Sequence, residues 1–158
     1  MFLPNKNKYG NKRKYTLITD IDDYGPYFSV TKGKEKIGNA NLIRSYDGYE
    51  FSIHIYKPKN FTKGIGTVLM SFVVNWASKN NAPYIFGKLS EDDKRLGNWE
   101  YSLPFYAGLQ RKIPKIRETY FLRGIFDFVK NSNSVPHYAV DIAAIKSSNS
   151  GYIVFILS

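Results

Sequence analysis

The sequence contains no cysteine, which excludes disulfide staples, a thiol nucleophile and cysteine-held zinc. Its two histidines, His54 and His137, are too few to make a metal centre the expectation. No apolar run approaches the ~18 residues that a membrane-crossing helix needs, so no membrane partner is expected. The opening Met1-Phe2-Leu3-Pro4-Asn5-Lys6 also lacks the apolar core of a secretory signal, which points to a cytoplasmic protein. Acidic residues are scarce as well. There are 13 against 23 Lys and Arg, a net charge of +10 and an isoelectric point near 9.6. That balance favours acidic partners, either a phosphate-rich small molecule or nucleic acid. A composition rich in lysine, asparagine and tyrosine gives the same charge as plain solvated surface, so charge alone does not choose among these.

What is present suffices for one domain with its own core: 158 residues need no metal or disulfide to hold them. Residues 1–14 carry Lys6, Lys8, Lys12, Arg13 and Lys14 with little to bury, and read as a flexible basic arm ahead of a domain spanning 15–158. Tyr15 to Ile21 reads as a strand. Tyr27 to Tyr56 then reads as a meander of three strands, with turns at Lys32-Gly33-Lys34 and Tyr46-Asp47-Gly48. Gly38, inside the middle strand, marks a bulge or a close contact.

The chain is organised around the stretch that follows. Phe51, Ile53 and Ile55 alternate with Glu50, Ser52, His54 and Tyr56, the pattern of a strand with one face on a core. The period then changes: Ile65, Val68, Leu69, Phe72, Val73, Trp76 and Ala77 form one face of a helix. Between the two lies the loop Phe61-Thr62-Lys63-Gly64-Ile65-Gly66-Thr67. Glycines there permit a sharp turn and close approach of a ligand, the first helical turn offers free N–H groups, and Lys63 adds a cation. A phosphate-bearing ligand is the expectation. The loop matches neither G-x-x-x-x-G-K-[ST] nor G-x-G-x-x-G. Asn80 to Pro83 end the helix, and Tyr84 to Leu89 read as a buried strand that should run parallel to Tyr49–Tyr56.

This stretch resembles the pyrophosphate loop of the GNAT superfamily of acyl-CoA-dependent N-acyltransferases, [QR]-x-x-G-x-[GA] ahead of a long helix. Tyr56, Pro58, Lys63, Gly64, Ile65, Gly66, Leu69 and Met70 stand where that family often has Val, Pro, Lys, Gly, Ile, Gly, Leu and Leu or Met. Phe61 departs from it at the Arg or Gln position. A second similarity follows in Gly87-x-Leu89-Ser90-x-x-Asp93 and Phe105-Tyr106. Pro104, expected to break or start a helix, and Gly108, two residues after the tyrosine rather than four, depart from the family's spacing there.

The resemblance implies an α+β fold of GNAT type, with a mixed, mainly antiparallel sheet and helices on both faces. It implies acetyl-CoA as co-substrate, no metal, and transfer of the acetyl group to a primary amine by direct attack. Carried over position by position, the family's coenzyme contacts fall on Ile55, Tyr56, Phe61, Thr62, Lys63, Gly64, Ile65, Gly66, Thr67 and Asn98. Glu50, six residues before Tyr56, takes the place of the family's catalytic glutamate, and Tyr106 that of the acid which protonates the leaving thiolate. Read from the strand alone, Glu50 is equally a solvent-facing residue beside a turn, and His54 is the other candidate base. Two further classes stay open: a non-catalytic CoA-binding protein, suggested by Phe61, and a basic nucleic-acid-binding module, suggested by the charge. Beyond residue 113, Ile116, Tyr120, Phe121, Gly124, Ile125, Phe128 and Val129 fit a helical face, although their aromatic content also suits a strand; helix is the expectation. His137–Ile145 and Gly151–Leu157 read as a terminal hairpin.

Overall fold

The computed structural model describes residues 15–61, 63–130 and 139–158. The basic stretch 1–14, Thr62 and His137 lie outside them. β1 (Thr16–Ile21), β2 (Pro26–Lys32), β3 (Glu35–Ser45) and β4 (Gly48–Ile55) pair antiparallel in chain order. Their alternation is the cause: Leu17, Phe28, Val30, Ala40, Leu42 and Phe51 share one buried face, and the intervening residues face the other way. The β1–β2 turn is tied by the Asp22 carboxylate, which accepts the N–H groups of Tyr24 at 2.8 Å and Gly25 at 3.2 Å. The register of β2 on β3 slips between Val30 and Thr31, opposite Gly38 and Lys36. A Cβ on Gly38 would lie 2.8 Å from the His54 carbonyl oxygen, so both the bulge and the close contact expected there are present.

From β4 the chain passes through a 3-10 turn (Pro58–Asn60) into α1 (Ile65–Lys79) and returns as β5 (Tyr84–Leu89), parallel to β4. It continues as α2 (Glu91–Arg95), α3 (Trp99–Lys112), β6 (Ile116–Leu122), α4 (Phe126–Lys130), β7 (Ala139–Val140), α5 (Ile142–Ser147) and β8 (Gly151–Leu157). The spatial order is β1-β2-β3-β4-β5-β8-β6-β7, and β4–β5 is the one parallel pair among the described strands.

The second half differs from its sequence reading in three places. The first half of Ile116–Val129 is the strand β6, and only its end is helical. β6 is buried on both faces, Ile116 and Phe121 on one side and Leu122 on the other, and a strand with two buried faces has no alternation to announce it. The terminal hairpin is not formed. Asp141 caps a helix by accepting the Ala144 N–H at 2.8 Å, while β8 inserts between β5 and β6 and the two-residue β7 pairs with β6 instead. Pro104 neither breaks nor starts a helix; it sits inside α3. Pro104 and Glu100 one turn before it are both exposed, so the Glu100 carbonyl that loses its N–H partner faces water.

Helices cover both faces of the sheet. On one, Ile65, Leu69, Met70, Val73, Val74 and Ala77 of α1 are buried with Trp99, Leu103, Tyr106 and Leu109 of α3 and Ile145 of α5. Each such aliphatic side chain contributes about 1.5–3 kcal/mol, and together they fix the first turn of α1 against β4. On the other face Phe128 and Val129 of α4 pack on Tyr84, Phe86, Leu122 and Val154. No helix among the described residues is long and apolar enough to cross a membrane.

Candidate functional site

The connection from β4 to α1 is built by backbone bonds around one buried amide. The Tyr56 N–H donates to the Ile37 carbonyl at 2.8 Å, which holds the end of β4 on β3. Lys57 then takes a left-handed conformation, φ 64°. Asn60, 3% exposed, donates its side-chain N–H to the Tyr56 carbonyl at 2.7 Å and its backbone N–H to Lys57 at 3.0 Å. The loop closes at Gly64, φ 80°, a conformation that costs glycine nothing. Helical bonding starts when the Val68 N–H donates to the Gly64 carbonyl. No side chain among the described residues caps this end, and the amides of Ile65, Gly66 and Thr67 are first-turn donors at the positive end of a 15-residue helix. Lys63 is exposed beside them, whereas Lys57 and Lys59 are drawn to Glu35, at 3.8 and 3.2 Å.

Strands β4 and β5 are paired only at Tyr49 with Ile85 and Glu50 with Phe86. From Phe51 onward they splay. A cleft of about 220 Å³ lies over the splay, walled by Ile53 and Ile55 of β4, Phe61 and Gly66 of the loop and helix, and one side of α3. Strand residues present their backbone groups to alternate sides. Since Tyr56 bonds to β3, so do His54, Ser52 and Glu50, while Ile53 and Ile55 turn their N–H and C=O groups toward the cleft.

The far wall is set by the corner between α2 and α3. Ser90 caps α2 by accepting the Asp93 N–H at 3.1 Å. Asp93 in turn accepts the Asn98 side-chain N–H at 3.3 Å through its carboxylate and the Asn98 backbone N–H at 2.8 Å through its carbonyl. Asp93, Asn98, Tyr101, Ser102, Phe105 and Tyr106 then face the cleft. Phe105 can lie against α1 because Gly66 has no side chain: a Cβ there would come within 2.9 Å of the ring. Tyr106, 9% exposed, packs on Phe51 at 5.8 Å and Phe155 at 6.3 Å between ring centres. Burial, with the Asp93 carboxylate adding to it, holds its phenol well above the ordinary tyrosine value, so the group stays protonated.

Of the residues singled out in the sequence, His54, Ile55, Phe61, Gly66, Asn98 and Tyr106 line this cleft. Lys63 and Gly64 stand exposed at its rim, the side chain of Ile65 is fully buried under α1, and Thr67 lies in the first turn with its carbonyl accepting the Ser71 hydroxyl. Tyr56 is not a wall of the cleft: its N–H is taken by β3, and its ring turns to the opposite face, against His54 at 4.7 Å and in a hydrogen bond with Asn39. Glu50 is exposed on that same opposite face, at the last paired position before the splay. Ile53, Asp93, Tyr101, Ser102 and Phe105 are wall residues the sequence reading did not single out as contacts. Ile53 follows from Ile55 by the strand period, and Tyr101 and Ser102 precede Tyr106 by five and four residues, one turn back along α3.

No protein-family model matches the sequence, and no curated protein matches it. Solved structures do. An acetyltransferase of the GNAT family from Staphylococcus aureus Mu50 superposes with a TM-score of 0.53 at 12% identity, over 85% of this chain and 69% of that one. Nourseothricin acetyltransferase gives 0.50 at 12% identity, over 87% and 68%. A Bacillus anthracis protein described as a streptothricin acetyltransferase, solved with acetyl coenzyme A, gives 0.51 at 17% identity, over 86% and 63%. At these identities the likeness is one of fold.

Proposed function

From a chain with the fold of the GNAT acetyltransferases, we propose an N-acetyltransferase that moves the acetyl group of acetyl-CoA to a primary amine. The observation that carries this reading is the splay of β4 from β5 directly after Glu50 and Phe86, facing the first turn of α1 across a cleft that contains Tyr106. The amides of Ile65, Gly66 and Thr67, with Lys63 beside them, bind the diphosphate. Ile53 and Ile55 offer backbone N–H groups to the pantetheine arm and to the thioester carbonyl, whose oxygen gains negative charge as the amine attacks. Asn98 and Phe61 complete the walls.

The amine comes from the face of the sheet that bears Glu50 and His54, opposite the helices α1 and α3. Glu50, directly or through a water, takes the proton that the amine must lose. Attack forms the new C–N bond, the C–S bond breaks, and the Tyr106 hydroxyl returns a proton to the thiolate. The chain has no cysteine to carry the acetyl group, so attack is direct. Positioning of two substrates from opposite sides of one strand supplies most of the acceleration. Phe61 in place of the family's anchoring side chain favours a second reading, a protein that binds acetyl-CoA without turning it over.

Thermal unfolding with acetyl-CoA, desulfo-CoA and ATP tests binding: a ligand at 100 times its dissociation constant adds about 2.7 kcal/mol. Both CoA ligands should stabilise more than ATP does, and free thiol should then appear with a suitable amine. Equal effects of all three would remove the acyl-CoA reading. Binding without thiol release across polyamines, aminoglycosides, amino acids and lysine peptides would select the second reading.

A further inference from the structure

We propose that Phe51 forms the floor of the acyl site and restricts this protein to acyl groups of two or three carbons. The inference rests on the acyl-CoA reading above and concerns which acyl-CoA is taken. Phe51 is the first residue of β4 beyond its last partner on β5, so its ring stands at the inner end of the splay. Gly87 is the residue opposite, and the ring occupies the place of its missing side chain: a Cβ on Gly87 would lie 2.4 Å from the ring tip and 2.7 and 2.8 Å from the two carbons beside it. The ring is 3% exposed and cannot swing aside, because Tyr106 and Phe155 hold it, each at 5.8 Å between centres.

Ile53 is the next residue on the same face of β4, and it walls the cleft with its N–H turned inward. Two strand residues span about 6.7 Å, and van der Waals contact with the ring takes about 3.7 Å of it, leaving about 3 Å beyond a carbonyl held at Ile53. That length admits an acetyl or propionyl group. A longer chain meets the Phe51 ring.

Calorimetric titration of the full chain with free CoA, acetyl-CoA, propionyl-CoA and hexanoyl-CoA tests this, each acyl affinity being taken relative to free CoA. The wild-type protein should bind hexanoyl-CoA at least tenfold more weakly than acetyl-CoA, with propionyl-CoA close to acetyl-CoA. Phe51→Ala should bring hexanoyl-CoA within about threefold of acetyl-CoA, and Phe51→Leu, which keeps an apolar filling under Tyr106, should do so in part. Equal wild-type affinity for acetyl-CoA and hexanoyl-CoA overturns the proposal even if neither variant folds. So does a folded variant with the wild-type ratio. Failure of free CoA and all three thioesters to bind the wild-type protein is a different result: it removes the acyl-CoA reading itself.

Discussion

The rings of Phe61 and Tyr101 meet edge to face across the mouth of the cleft, 5.6 Å apart at 63°. Phe61 forms an aromatic wall there, and α3 supplies its partner. Such a pair is worth about 0.5–1.5 kcal/mol beyond burial. Phe61→Ala should weaken acetyl-CoA binding by roughly three- to tenfold. Tyr101→Ala should do the same, and the double variant little more than either. Calorimetry decides it, and additive losses would mean that the rings act separately.

Gly66 and Gly87 both make way for an aromatic ring, but not equally. At Gly66 the obstruction is the tip of the half-buried Phe105, which can tilt away. At Gly87 three atoms of the Phe51 ring crowd the position, and Tyr106 and Phe155 hold that ring in place. Gly66→Ala should cost about 1 kcal/mol and Gly87→Ala about 3 kcal/mol. Urea unfolding should also show Phe51→Leu recovering part of the second loss, and no recovery would place the clash elsewhere.

Asn60 is the buried amide that ties the loop to the end of β4. Asn60→Ala leaves the Tyr56 carbonyl without its donor and should cost about 1–3 kcal/mol, a fall in Tm of roughly 3–10 °C. Asn60→Asp, which has no N–H to give, should fare no better. A Tm unchanged in both variants would show that the loop holds its shape without this bond.

Tyr106 has two measurable signatures. As a general acid, its loss in Tyr106→Phe should lower turnover by about 10²-fold with acetyl-CoA affinity nearly unchanged. Its raised pKa also has a consequence for stability. Unfolded tyrosine ionises near pH 10, so above that pH the unfolded chain holds fewer protons than the folded one, and stability falls as pH rises; below it the contribution is complete. Between about pH 10 and 12, Tyr106→Phe should lose stability less steeply, by up to ~1.4 kcal/mol per pH unit. Parallel slopes for the two proteins would show a phenol in contact with water.

The first half of the chain was readable because its strands are buried on one face, so that Phe51, Ile53 and Ile55 stand out by alternation, and because α1 carries a continuous apolar stripe. The turn into α1 is legible where backbone geometry demands glycine, as at Gly64, and the cleft wall where a spacing brings residues of one helix to one side, as at Asn98 and Tyr106. Tyr56 turns away from the cleft, because its orientation depends on which side of β4 bonds to β3, and that is decided by register rather than composition. β6 has neighbours on both faces, so periodicity does not separate it from a helix and only its aromatic content points to a strand. The α5 helix was marked only by the Asp141 cap and two alanines within a short apolar run. The insertion of β8 between β5 and β6 has no local signal at all, because it is a choice among partners far apart in sequence.

That insertion also governs how the sheet comes together in time. β5 and β6 have no bonds to each other; each bonds to β8, which follows them by more than 25 residues. Until β8 arrives, Tyr84–Leu89 and Ile116–Leu122 present open edges rich in aromatic and β-branched residues, the kind that pair with strands of other molecules. The step that completes the sheet is therefore a long-range one, slow relative to the hairpins of β1 to β4, and the yield of folded protein is set by how it competes with aggregation at those two edges.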